Sequence, residues 1–194
     1  MNKSFFFWDL KIYNNMQMND AIIVTDVDTI KRIGELRAAV WRGETGSSFQ
    51  CQSDCWLDEY DTLPTCHHWV ILDGDNAQIV ASARLTVHTC ADHRTIQLFV
   101  DHAHDLRFPV AVMGRLVVAA PFRRRGYAQQ LNRVQLQAAK VLGCASIVVT
   151  AKDISVNMLL KMGFAHLMQH GSPVTVTFDD RPTTMFYGMY RNLP

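Results

Sequence analysis

Residues Val110 to Val118 are rich in β-branched side chains and read as a strand, which Pro121 brings to an end. A helix follows from Gly126 to Leu142, with Ala128, Leu131, Val134, Leu136, Ala138 and Leu142 as its apolar positions and Gly143 as its stop. The turn between them reads Arg123-Arg124-Arg125-Gly126-Tyr127-Ala128. The first N–H groups of a helix have no partners inside it, and the helix dipole adds partial positive charge there. An anion held at such a point accepts several backbone hydrogen bonds. Gly126 and Ala128 are small, so an anion can come close to the backbone. Three arginines alone would suit a basic surface turn. The strand before them and the amphipathic helix behind them favour a cradle for a pyrophosphate.

The remaining pattern is mixed α/β within one domain. Ala21 to Val24 reads as a strand, and Asp26 or Asp28 caps a helix with Ile30, Ile33, Leu36, Arg37, Val40 and Trp41 on one face. Gly43 to Ser53 is polar and reads as a loop. His68 to Leu72 and Ile79 to Leu85 flank Asp73-Gly74-Asp75, a strong hairpin signal. Ile96 to Val100 is a short strand or a helical turn. Ser146 to Thr150 reads as a buried strand, and Ser155 as the cap of a short helix ending at Gly163. Two strands follow near Val174–Thr177 and Met185–Tyr190.

A length of 194 residues, 48% of them apolar, provides for one sizeable core. With 19 basic and 18 acidic residues the net charge is +1, so no global field draws the chain to nucleic acid or an anionic membrane. No apolar run spans a bilayer. The patch Phe5-Phe6-Phe7-Trp8 is too short for a signal-peptide core, and residues 1–20 are expected to form an N-terminal extension or arm that packs on the domain or on a partner subunit. Five cysteines, an odd number without regular spacing, fit reduced thiols in the cytoplasm. The series Cys51, Cys55, Cys66, His67, His68 has zinc-like spacing, but neighbours on a strand point to opposite faces, so no metal is expected.

Arg123-x-x-Gly126-x-Ala128 matches the Arg/Gln-x-x-Gly-x-Gly/Ala signature of the Gcn5-related N-acetyltransferase (GNAT) superfamily. Met113-Gly114-Arg115-Leu116-Val117-Val118 resembles the strand that leads into it, and Lys161-Met162-Gly163-Phe164 resembles the Lys-x-Gly-Phe ending of the next helix. Leu36-Arg37-x-x-Val40-Trp41 and Ala83-Arg84-Leu85 also fit, so the resemblance covers about residues 21 to 190. It implies an α/β (α+β) single-domain GNAT-like fold over residues 21–194, with a mixed, mostly antiparallel central sheet flanked by helices. It also implies acetyl-CoA as co-substrate and direct attack of a primary amine, on a small molecule or a peptide, on the thioester. The pyrophosphate would lie on Arg123, Arg124, Arg125, Gly126, Tyr127 and Ala128, and the pantetheine arm along Leu116, Val117 and Val118. A homodimer is compatible with this.

Two positions depart from the family. Its frequent acidic tyrosine is Leu159 here, and its frequent helix-opening asparagine corresponds to Lys152, with Asn157 nearby. No residue stands out as general base or acid. Ser155, Asp61 and His68 are candidates, and His67, His88, His102 and His104 can also titrate near neutrality. Asp58-Glu59-Tyr60-Asp61 suits either a solvated acidic loop or an amine-recognising cluster. This cluster, together with Leu36-Arg37-x-x-Val40-Trp41 and Arg84-Leu85, also resembles acyl-homoserine-lactone synthases. A third possibility is a CoA-binding module without catalysis, which Leu159 brings to mind.

Overall fold

The computed structural model describes residues 21–43, 53–74, 77–98, 106–168, 171–178 and 181–194. The Phe5–Trp8 patch, Cys51, His102 and His104 lie outside them. Eight strands are present: β1 (Ala21–Val24), β2 (Cys66–Asp73), β3 (Gln78–His88), β4 (Val110–Val118), β5 (Ser146–Ala151), β6 (Ala165–His166), β7 (Val174–Phe178) and β8 (Arg181–Asn192). The sheet order is β1-β2-β3-β4-β5-β8-β6, with β7 folded back on β8. Only β4 and β5 run parallel, so the expected mixed, mostly antiparallel sheet is what forms.

The helices are α1 (Val27–Arg42), the single turn α2 (Arg94–Gln97), α3 (Tyr127–Val141) and α4 (Asp153–Lys161). Asp26 caps α1 by accepting from the Thr29 N–H at 2.7 Å. The residues near Ile96 form a helical turn, capped by His93 through the Thr95 N–H. At α4 the cap is Lys152, whose extended backbone opens the helix. Ser155 falls inside the first turn, its N–H donating to the Lys152 carbonyl at 2.9 Å. This corrects the cap expected at Ser155, where a favourable residue type alone did not set the boundary.

The sheet faces carry different chemistry. On one face Trp69, Ala81, Ala83, Leu85, Ala111 and Met113 pack against Leu131 and Ala138 of α3 in the main core. Each fully buried aliphatic side chain of this kind contributes about 1.5–3 kcal/mol. On the other face Val24, Val70 and Ile79 meet Ile33 of α1, and Val110, Val112 and Val148 meet Ile96 of α2. Between these two apolar clusters lie His68, Arg84, Thr86 and His88. Cross-strand partners share a face, and His68 pairs with Arg84 while His88 pairs with Val110. A polar belt therefore crosses the middle of the α1 face.

Candidate functional site

Strand β4 connects two sets of polar groups. At its end, Gly126 caps α3 with φ 85° and ψ −2° and gives the helix no side-chain cap. The first helical bond closes from the Gln130 N–H to the Gly126 carbonyl at 3.0 Å, which leaves the N–H groups of Tyr127, Ala128 and Gln129 without partners inside the helix. Arg124 also has a positive φ, 64°. Left-handed residues interleaved in this way turn N–H groups inward as an anion-binding nest. A Cβ added at Gly126 would meet no atom within 4 Å, so the cup is open in front of the helix. The Arg123 Nε donates to the Val118 carbonyl at 3.1 Å. Arg125 donates to the Pro121 carbonyl at 3.4 Å and lies over the Phe122 ring. Both side chains brace the loop, and all three arginines are exposed.

The second set begins where β4 leaves β5. Their pairing runs from Val110↔Ser146 to Met113↔Val149 and stops, although β4 continues to Val118 and β5 to Ala151. The freed β4 edge includes Leu116, Val117 and Val118. Opposite β3, the register shifts between Ser82 and Arg84, so Arg115 and Leu116 face the single residue Ala83. Arg115 takes up this bulge with φ 53°. Ordinary alternation would send Arg115 away from the face of Arg84; the bulge turns it so that both reach Asp58.

A chain of five charges results, with Arg37, Asp61 and Arg84 buried and Asp58 and Arg115 half-buried. Arg37 donates to Asp61 at 2.8 Å, and Arg84 contacts the same Asp61 oxygen at 2.9 Å. Arg84 also donates to both oxygens of Asp58, and Arg115 donates to Asp58 through its Nε, at 3.1 Å, and through its NH2 group. The Asp61 side chain accepts the Asp58 N–H, and Asp58 accepts the Tyr60 N–H, in a capping box on the short 3-10 helix Glu59–Thr62. Burial alone would raise the Asp58 carboxyl, but hydrogen bonds from Arg84 and the charge of Arg115 hold it far below the usual carboxylate range. Asp61 is likewise held down, against its burial, by Arg37 and Arg84. Burial brings Arg115 down to about 10 even with Asp58 beside it. Its guanidinium stacks on Trp56 at 4.0 Å, Trp56 meets Trp41 edge-on at 5.5 Å, and the Lys152 ammonium lies 3.9 Å from the Trp41 ring centre.

The structure brings Asp61 and His68 together and places Ser155 apart from them, half-buried in the first turn of α4. His68 Nδ1 faces a guanidinium nitrogen of Arg37 at 3.5 Å, and a guanidinium can only donate, so the ring proton sits on Nε2 and points to the Asp61 carbonyl at 3.2 Å. Burial and the nearby Arg37 charge bring this ring down to about 4. A lone pair so engaged, and a carboxylate with two guanidinium partners, both suit positioning better than proton transfer. His67 is half-buried with its ring 6.1 Å from that of Trp69. Leu159 is buried in the main core, so no acid replaces the tyrosine there.

His88, one of the histidines noted in the sequence, completes the belt together with Asp92 and His93, which were not. His88 Nδ1 lies 2.7 Å from the Asp92 carboxylate, and its Nε2 is hydrogen-bonded to the Thr86 hydroxyl at 2.9 Å. His93 packs 4.1 Å from the Tyr60 ring centre and 4.8 Å from His88. Burial, and next the neighbouring His88, bring His93 down to about 3. Asp61, Cys66 and His68 also bring three ligand-type atoms within 4.8 Å of one another. Arg37 and Arg84 already hold that carboxylate, and burial pushes the Cys66 thiol up to about 12, so the donor set does not suit a cation.

Splayed parallel strands feeding an uncapped, glycine-opened helix are the arrangement of an acyltransferase. The acetyltransferase (GNAT) domain family matches residues 36–133, half of the chain, and the chain belongs to this family. Escherichia coli ElaA is similar in structure, with a TM-score of 0.60 and 20% identity over 90% of this chain and 100% of its own. An acyl-CoA N-acyltransferase from Pseudomonas aeruginosa superposes with a TM-score of 0.59 and 21% identity over 89% and 99%. BjaI, a CoA-dependent acyl-homoserine lactone synthase, reaches a TM-score of 0.64 at 13% identity over 89% and 82%. No curated protein matches the sequence. Among the described residues no helix is long and apolar enough to cross a membrane.

Proposed function

We propose that this acyltransferase moves an acetyl group from acetyl-CoA to a primary amine of a small molecule or peptide, by direct attack of the amine on the thioester carbon. The observation that carries this reading is the open cup at Gly126 at the end of a β4 edge that β5 no longer covers. The N–H groups from Arg124 to Ala128 would receive the pyrophosphate, since the Arg123 N–H already donates to the Ala120 carbonyl, and the exposed arginines of the loop would add charge. The freed edge at Leu116, Val117 and Val118 would pair with the amides of the pantetheine arm, as an added strand pairs with a sheet edge. A backbone N–H of β4 would donate to the oxyanion as the amine adds. The thiolate then leaves with a pKa of about 8.5 for a thiol of this type, so it needs little help from an acid. Asp61 and His68 would position the charge chain, and Ser155 remains a proton-handling candidate. The compartment is read as cytoplasmic, and a homodimer with residues 1–20 as its arm is compatible with this.

The test is mass spectrometry of amine panels incubated with acetyl-CoA, alongside thermal melting. At 100-fold over its dissociation constant, acetyl-CoA should stabilise the protein by about 2.7 kcal/mol. Acetylated product supports the proposal. Absence of any shift with both acetyl-CoA and CoA would overturn it.

The buried series Arg37, Asp61, Arg84 and Asp58 favours a second reading, signal-lactone synthesis from S-adenosylmethionine and an acyl donor. Lactone product, formed faster with acyl-carrier protein than with acyl-CoA, would favour it over the first. Binding of acetyl-CoA without transfer to any amine and without hydrolysis would instead mark a regulatory CoA-binding module.

A further inference from the structure

The five-charge chain alternates in sign, Arg37, Asp61, Arg84, Asp58, Arg115, and ends on a cation at both ends. Three guanidiniums share two carboxylates, and His68 is uncharged at neutral pH. The described side chains therefore leave one positive charge uncompensated in a setting where charge is costly to bury. The two ends are not equivalent. The Arg37 end is sealed, with no side-chain exposure, whereas Arg115 retains 19% and Asp58 15%. An anion can reach only the Arg115 end.

The position of Arg115 limits what that anion can be. Arg115 lies in the bulge just past Met113, where β4 and β5 part, and the phosphate cup begins beyond Val118 at the other end of the freed edge. If pantetheine follows that edge, the groups arriving at Arg115 are the acyl carbon and the acceptor, not the cofactor's phosphates. Trp56 covers one face of the guanidinium, and Asp58 takes Nε and NH2 on a single oxygen, Oδ2. The NH1 edge remains for a planar acceptor such as a carboxylate.

We propose that the Arg115 end of this charge chain binds a carboxylate carried by one of the two substrates, either an acceptor of amino-acid type or an acyl group with a distal carboxylate. The inference rests on the acyl-transfer reading, which it narrows to a substrate class.

Matched pairs test it. One arm compares L-phenylalanine with 2-phenylethylamine and L-leucine with 3-methylbutylamine. The other compares succinyl-CoA with butyryl-CoA. For each member KM is measured by product mass spectrometry, and the dissociation constant by melting in the presence of CoA. The carboxylate member of one arm is expected to bind about tenfold or more tightly than its partner, the range of a charge-assisted hydrogen bond. R115Q should bring that ratio close to one, while R115K should retain most of it. The arm showing the preference identifies the carboxylate's source. Ratios near one in both arms, or a ratio that R115Q leaves unchanged, overturn the proposal. Should R115Q not fold, competition in the wild type decides: 3-phenylpropionate displacing L-phenylalanine, or succinate displacing succinyl-CoA, supports it, and no competition overturns it. Because the dissociation constants need no turnover, a protein that binds without transferring refutes the acyl-transfer reading separately from this inference.

Discussion

Acidification from pH 7 to pH 5 should destabilise this fold markedly, and two buried imidazoles are the cause. His68 is held down to about 4 and His93 to about 3, by burial first and then by Arg37 and His88 respectively. In the unfolded chain each titrates near pH 6.5. Between pH 7 and 5 the unfolded state therefore takes up a proton at each ring that the native state refuses, so stability falls as pH falls. Linkage assigns about 1.9 kcal/mol to each ring over that interval, or about 4 kcal/mol for the two. For a chain of this size that corresponds to a drop in Tm of roughly 7–15 °C. Below about pH 4 the loss should steepen, because Asp58 and Asp61 are both held below the usual carboxylate range and their stabilisation disappears on protonation. Differential scanning calorimetry at constant ionic strength measures the curve. His93→Asn isolates one ring, since asparagine can still accept the Thr95 N–H that His93 Nδ1 accepts at 2.9 Å. That variant should lose about half of the pH dependence. A wild-type Tm unchanged between pH 7 and 5, or a His93→Asn variant with the full slope, would refute the assignment.

Other substitutions probe the core and the charge chain. Asp58→Ala strips Arg84 and Arg115 of their shared carboxylate and should cost about 3–5 kcal/mol in urea unfolding. Leu159→Ala, at a core site with 2% exposure, should cost about 2–5 kcal/mol in the same assay. Gly34→Ala would place a Cβ 2.4 Å from Cys55 Sγ and 2.9 Å from Leu57 Cγ, and the forced shift should cost about 1–3 kcal/mol in Tm-derived stability.

The strand–loop–helix unit was legible because each part has its own local signal. A β-branched run, a proline, a glycine and a 3.6-residue apolar period all agree over Val110 to Leu142. The resemblance already matched Lys152 to a helix-opening residue, whereas residue type pointed to Ser155, because the Lys152 backbone and not its side chain opens the helix. Strand β6 is two residues long and exists through its pairing with β8, which no local pattern encodes. The charge chain was hidden for a different reason. Arginine and aspartate are read as surface residues, and only tertiary pairing makes their burial affordable. Asp58 and Asp61 are mostly buried, while Glu59 between them is exposed, so the segment is neither a solvated loop nor wholly a binding patch. The resemblance that grouped Arg37, Asp58–Asp61 and Arg84 named four of its five members, but not their pairing or their burial. Arg115 reaches the cluster through a bulge whose position depends on β3, and nothing in the sequence near Arg115 announces it.

In the proposed function the backbone cup at Gly126, more than the arginine charges around it, holds the phosphates of an acyl-CoA. Calorimetric titration of acetyl-CoA into wild type, Gly126→Glu and Arg124→Ala tests this directly. Glutamate at Gly126 would put a side chain at φ 85° and a negative charge into the open cup. Saturable binding by the wild type, moderately weaker binding by Arg124→Ala and none by Gly126→Glu are expected, with all three folded by circular dichroism. Equal losses in the two variants, or full affinity in Gly126→Glu, would contradict this reading.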